Sequence, residues 1–163
     1  MFGLAPAYAL DLEHLDSAYR DIQSRIHPDR YASAGDAERR ASMELTTRVN
    51  EAYRTLKSPV QRGRYVLELN GVDTGFETNT AMPPEFLMEQ IELREKLEEA
   101  RDAATLDVIR KDLVTARKAL ELRIVECIDA KRDYESAKEP VRKLMFLEKF
   151  GDEIDSAYEA LEA

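Results

Sequence analysis

The chain is short of the residues that build sheets, disulfides and membrane spans. Its one cysteine, Cys127, leaves no intramolecular disulfide possible, in keeping with a reducing compartment. Aromatic residues make up only 7% and glycine and proline number six each, while no stretch alternates apolar and polar side chains as a half-buried strand would. We expect no sheet. The N-terminal MFGLAPAYAL is apolar but too short to cross a bilayer and lacks the basic start of a secretory leader, and no later run is long enough. A cytoplasmic protein with no membrane partner is expected. A glycine-rich phosphate loop, a GxSxG elbow and an HExxH helix are all absent, so the reading is not that of an enzyme. Cys127, His14 and His27 show no ligand spacing, so no metal site and no cofactor are expected, and Cys127 reads as a core residue.

What is present is helical periodicity and charge. A hydrophobic content of 44% is enough for a core, and 35% charged residues without strand patterning indicate an all-α fold. Residues 1–69 carry ten acids and ten bases, so residues 70–163 hold all of the net charge of −9. Such an acidic half disfavours nucleic acid, whose phosphates need clustered Lys and Arg, and favours a basic protein surface as partner.

Leu12, Leu15, Tyr19, Ile22 and Ile26 recur at helical steps and predict a helix over 11–26. Pro28 ends it, leaving His27 and Asp29 on a tight turn. A second helix is predicted over 37–57, capped by Asp36, where Ala41, Leu45, Val49, Ala52 and Leu56 form a stripe that Ser58-Pro59 terminates. These two form an antiparallel hairpin. A shorter helix over 60–69, carrying Tyr65, Val66 and Leu69, stops at Asn70-Gly71. The mixed stretch VDTGFETNTAMPP reads as a linker, residues 72–83, up to a further helix opening at Pro84. Three helices are predicted beyond it, over 84–103, 105–134 and 139–162, with Pro84 and Pro140 in first turns. In the middle one Leu106, Ile109, Leu113, Ala116, Leu120, Cys127, Ala130 and Tyr134 follow heptad spacing broken only at Arg123, as in an antiparallel three-helix bundle.

The order amphipathic helix, HPD turn, helix ending VNEAYRTLKSP, then QRGRYVLELNG resembles a J-domain. FLMEQIELREKL and VRKLMFLEKF resemble the C-terminal domain of the HscB-type co-chaperones of iron–sulfur cluster assembly. The resemblance covers nearly the whole chain. It implies a J-domain over 1–71 that stimulates ATP hydrolysis by a DnaK-type chaperone, HscA. It also implies a bundle over 84–163 that delivers the iron–sulfur scaffold protein IscU. The rival readings are a J-protein whose acidic bundle serves another client, and a plain helical adaptor. A monomer is expected.

For the chaperone contact the resemblance points to His27, Pro28 and Asp29, with bases Arg20 and Arg25 before the turn and Arg30 after it. A carboxylate on a rigid turn suits a charge-assisted, bidentate bond to an arginine of the partner. His27 is read instead as holding the turn together by hydrogen bonds, and the bland alternatives are a plain helix stop in which Asp29 caps a local amide, and solvated arginines. Asp16 and Asp21 thin the basic patch and bear on which chaperone is preferred, while His14 reads as an exposed helical residue. Relatives carry a few residues ahead of the segment Phe2-Gly3-Leu4, so either the short first element is missing or the start is mis-set, and poorer packing on the first helix is expected. The cysteine motif at the front of some eukaryotic members is absent, which favours a bacterial-type protein.

In FLMEQIELREKL, Phe86, Leu93, Leu97 and Ala100 share one direction on a helical wheel and form the predicted core face. Leu87, Met88 and Ile91 lie on the far side, bordered by Glu92, Glu95, Glu98 and Glu99. Apolar side chains ringed by acids suit a basic-rimmed partner, unless another helix or the J-domain covers them. By resemblance Phe146 joins this patch, beside the stripe Leu144, Leu147, Ile154, Tyr158 and Leu161. The scaffold-binding set is then Leu87, Met88, Ile91, Glu92, Glu95 and Phe146, of which Leu87, Met88, Ile91 and Phe146 are expected to be substantially solvent-exposed.

Overall fold

The structure is a computed structural model that describes residues 1–75 and 82–162. Among the described residues it contains six α-helices and no strand. They are α1 (Leu12–Ile26), α2 (Asp36–Lys57), α3 (Pro59–Leu69), α4 (Pro84–Glu99), α5 (Ala103–Val125) and α6 (Tyr134–Glu162). The chain divides into two compact units, Met1–Val66 and Leu67–Ala163, so the last turn of α3 groups with the second. The linker expected at 72–83 lies partly outside the described residues.

In the first unit, residue pairs run up α1 as they run down α2. Asp16 meets Lys57, Tyr19 meets Tyr53 and Asn50, and Ile26 meets Ser42, which makes the hairpin antiparallel. Leu15 and Val49 are fully buried at its centre, with Tyr19, Ile22, Ile26, Ala52 and Leu56 packed around them. A polar seam closes one edge. Tyr19 Oη donates to Asn50 Oδ1 at 2.9 Å while its ring stacks on Tyr53 at 4.0 Å between centroids, and Gln23 also donates to Asn50. Residues 1–11 form no helix, yet Phe2 is buried against Leu15 and Val49. The expected loss of packing on α1 is therefore not seen, because Phe2 itself fills that space. Asp11 caps α1, its Oδ1 accepting from the His14 amide at 3.0 Å.

Asp36 does not cap α2. Gly35 holds the cap position in extended backbone with no side-chain bond, and Asp36 is the first helical residue, where its charge faces the positive helix end. The stop at Asn70-Gly71 forms as expected. Gly71 takes φ +75°, Val72 N–H donates to Leu67 O at 3.0 Å and Gly71 N–H to Glu68 O at 3.0 Å, the paired bonds of a Schellman motif.

In the second unit α5 and α6 are antiparallel: Asp107 meets Tyr158, Arg110 meets Asp155 and Leu113 meets Gly151. α4 runs parallel to α6, since Phe86 meets Phe146 and Arg94 meets Glu153. Ile109, Leu113, Leu147, Phe150 and Ile154 form the core, with Leu93 and Leu97 of α4 and Ala100, just after that helix, packed on it. α4 stops at Glu99 rather than 103 because Asp102 starts the next helix, its Oδ1 taking the Thr105 amide at 2.7 Å. That bond holds the Asp102 carboxyl below its usual range.

The middle helix is shorter than expected. After Val125 the backbone widens into a π turn, Glu126–Ala130, with Lys131 N–H donating to Glu126 O at 3.0 Å across five residues. The extra residue shifts the register after Val125, so Cys127 and Ile128 are both buried while Ala130 is exposed; upstream of the turn Ile124 is buried and Ala116 is exposed. Tyr134 begins α6 instead of ending α5. Asp133 Oδ1 accepts the Ser136 amide at 3.1 Å, which opens α6 five residues earlier than predicted and leaves Pro140 buried inside it rather than in its first turn. Leu161, assigned to the α6 stripe, is exposed near the chain end.

Candidate functional site

The HPD turn is built by the end of α1. His27 is extended (φ −55°, ψ 130°), and Pro28–Tyr31 form one 3₁₀ turn. Arg30 N–H donates to His27 O at 3.0 Å, and Asp29 N–H donates to His27 Nδ1 at 3.3 Å. The histidine ring, and not the aspartate, therefore caps the local amide. The Asp29 carboxylate faces His27 at 3.5 Å, and its side chain is 91% exposed. The arrangement is a carboxylate held on an ordered turn and directed to solvent, which is what a bidentate bond to an external arginine requires.

Arg20 and Arg25 are exposed on α1, but they lie five positions apart and so stand about 140° apart around the axis. They do not make one continuous basic face with the turn. Arg30 is exposed beyond it and donates from Nη1 to Ser24 O at 2.8 Å. Asp16, read as thinning the basic patch, is turned to α2, where both its oxygens take bonds from Lys57 Nζ (2.8 and 2.9 Å) and Oδ1 accepts from Tyr53 Oη at 2.9 Å. These bonds hold the Asp16 carboxyl below its usual range and the Lys57 ammonium above its own. Its charge is thus met within the hairpin.

On α4 the core and solvent faces separate as the wheel predicts. Phe86 is buried, whereas Leu87, Met88 and Ile91 are 40%, 63% and 57% exposed. Glu92 and Glu95 are exposed beside them. Phe146 is half-buried, not open: its ring meets Phe86 edge-on, 5.8 Å between centroids at 86°. It borders the patch and does not project from it, because α6 presents it toward α4. Gln90 and Arg94, absent from the sequence reading, continue the line of Phe86 at four-residue steps. Gln90 is buried with its Oε1 unpaired. Arg94 donates from Nη1 to Gln90 O at 3.1 Å and from Nη2 to Glu153 Oε1 at 2.8 Å, with its guanidinium 5.5 Å from the Phe150 ring centre. Their i, i+4 spacing from Phe86 was the available signal; their polarity hid it. Among the described residues no cluster of three or more His, Cys, Asp or Glu side chains could hold a metal ion, and no helix is long and apolar enough to cross a membrane.

Residues 82–155 match the family described as the HSCB C-terminal oligomerisation domain. Over its full length the chain is similar to co-chaperone protein HscB homologs. It is 45% identical to that of Azoarcus sp. strain BH72, covering 99% of this chain and 93% of the relative. It is 46% identical to that of Burkholderia thailandensis, covering 99% and 94%. Among solved structures it is similar to chaperone HscB from Vibrio cholerae (TM-score 0.87, 32% identity, 98% and 96% covered). It also resembles human co-chaperone protein HscB (TM-score 0.89, 28% identity, 94% and 78% covered).

Proposed function

Since the chain belongs to the HscB family of co-chaperones, we propose that it stimulates the ATPase of a DnaK-type chaperone, HscA, and delivers the iron–sulfur scaffold protein IscU to it. In that role it supports iron–sulfur cluster assembly and transfer, as a cytoplasmic monomer with no cofactor of its own. Residues 1–71 act as the J-domain, 72–83 as the linker and 84–163 as the scaffold-binding bundle. The observation that carries the reading is the Asp29 side chain, 91% exposed on a turn whose amide is capped by His27. An arginine of the chaperone takes that carboxylate, and the ordered turn reduces the entropy lost on docking. Arg20, Arg25 and Arg30 supply attraction around it. The patch Leu87, Met88 and Ile91, with Glu92 and Glu95 beside it and Phe146 at its edge, receives an apolar, basic-rimmed surface of the scaffold.

A chaperone ATPase assay tests the first half. Asp29→Asn or His27→Gln abolishes stimulation, while helicity and scaffold binding stay as in the wild type. Loss of one partner of a desolvated charge pair costs about 2–5 kcal/mol, enough to remove a productive encounter. Retained stimulation by Asp29→Asn would refute the assignment. Capture of purified scaffold by the immobilised chain separates this reading from a J-protein serving another client.

A further inference from the structure

Resting on the chaperone-stimulating reading, the geometry points to Ser42 as a positioning residue for the HPD turn. The last carbonyls of an α-helix have no donors within it, and water usually meets them. At the end of α1 three of them are met by side chains that come later in the chain. Arg30 Nη1 donates to Ser24 O at 2.8 Å, Tyr31 Oη to Arg25 O at 3.4 Å and Ser42 Oγ to Ile26 O at 2.6 Å. The first two close short rings around His27, Pro28 and Asp29, but both are exposed to solvent, where water competes for the same atoms. Ser42 differs in two respects. It is 5% exposed, and it belongs to α2, so its bond ties the base of the turn to the second helix. Thr46 Oγ1 adds a longer contact to the same oxygen at 3.5 Å.

A serine inside a helix can return its hydroxyl to its own backbone, as Thr47 does toward Met43 O at 3.0 Å. Ser42 instead reaches across to α1. Ile26, Tyr31, Ala41 and Leu45 line a shallow cleft beside it, and in Ser42→Ala the Thr46 hydroxyl still faces Ile26 O while Leu15 and Val49 keep the hairpin folded. What is lost is the fixed position of Asp29, three residues on, and with it part of the pre-ordering that docking needs.

The test is a titration of chaperone ATPase stimulation by the full chain, beside hydrogen exchange of the Arg30 amide, which is bonded to His27 O. Ser42→Ala is expected to raise the half-maximal concentration about three- to tenfold, the effect of one hydrogen bond. Maximal stimulation and melting temperature hold, and Arg30 exchanges faster. Ser42→Thr, which keeps a hydroxyl, restores both readouts, and Ser42→Ala with Thr46→Val worsens them. Unchanged half-maximal concentration and unchanged Arg30 exchange overturn the inference. So does a loss that follows the melting temperature and is not restored by threonine. If the wild type fails to stimulate at all, the co-chaperone reading fails instead, and Arg30 exchange alone still decides whether Ser42 holds the turn.

Discussion

Replacing Leu87, Met88 and Ile91 together by alanine separates binding from folding, because about half of their surface lies outside the bundle. A side chain of this size contributes about 2.5 kcal/mol when fully covered. With 40%, 63% and 57% of each still open, a partner that covers them gains about 4 kcal/mol. Alanine retains roughly a third of such a side chain, so the triple variant loses about 3 kcal/mol of binding, close to a 100-fold weaker Kd. Folding loses less, about 1–2 kcal/mol, since alanine's better helical preference offsets part of the contacts given up. Phe86, Leu93 and Leu97 still hold α4 on the core. Calorimetric titration with the purified scaffold, beside circular dichroism melts, reads both effects. Binding within threefold of wild type, or a variant unfolded at assay temperature, would show that the patch is irrelevant or part of the core.

Cys127→Ala acts on stability alone: the thiol is 1% exposed, and its removal costs about 1–2 kcal/mol in urea unfolding, with scaffold capture unchanged. A folded variant that loses capture would contradict a purely structural cysteine. Asp16→Asn makes the hairpin less stable at neutral pH, and the deficit has a defined acid limit. The Asp16 carboxyl titrates lower folded than at its ordinary 3.8, so its contribution is complete above that value and disappears as pH falls through the depressed one. Melting curves of both proteins should converge there, and a constant difference into acid would exclude the Lys57 and Tyr53 bonds as the cause.

The helices were legible where one physical rule decided them. Pro28, Ser58-Pro59 and Asn70-Gly71 end helices at the observed places because proline and a left-handed residue leave the backbone little choice. Starts were less legible, because an aspartate can cap from either side of a boundary. Asp102 and Asp133 do so, whereas Asp36 does not. The middle helix misled because heptad counting assumes a constant turn, and the π turn at Glu126–Ala130 breaks it. At the candidate sites, the exposure of Leu87, Met88 and Ile91 followed from angular spacing alone, while Phe146 depended on how α6 faces α4, which no single-helix wheel contains. Ser42, Gln90 and Arg94 escaped notice because polar side chains at buried positions leave no periodic trace.

The π turn also bears on how chain length can vary in this fold. A five-residue π turn is an α-helical turn with one residue too many. Removing a single residue between Glu126 and Ala130 returns the backbone to α geometry and leaves Leu106, Ile109, Leu113 and Ile124 facing where they face now. The same deletion farther up α5 would turn one flank against the other by about 100° and carry half of the buried stripe into solvent. One-residue gaps between aligned relatives should therefore gather at this turn and be missing from the body of α5.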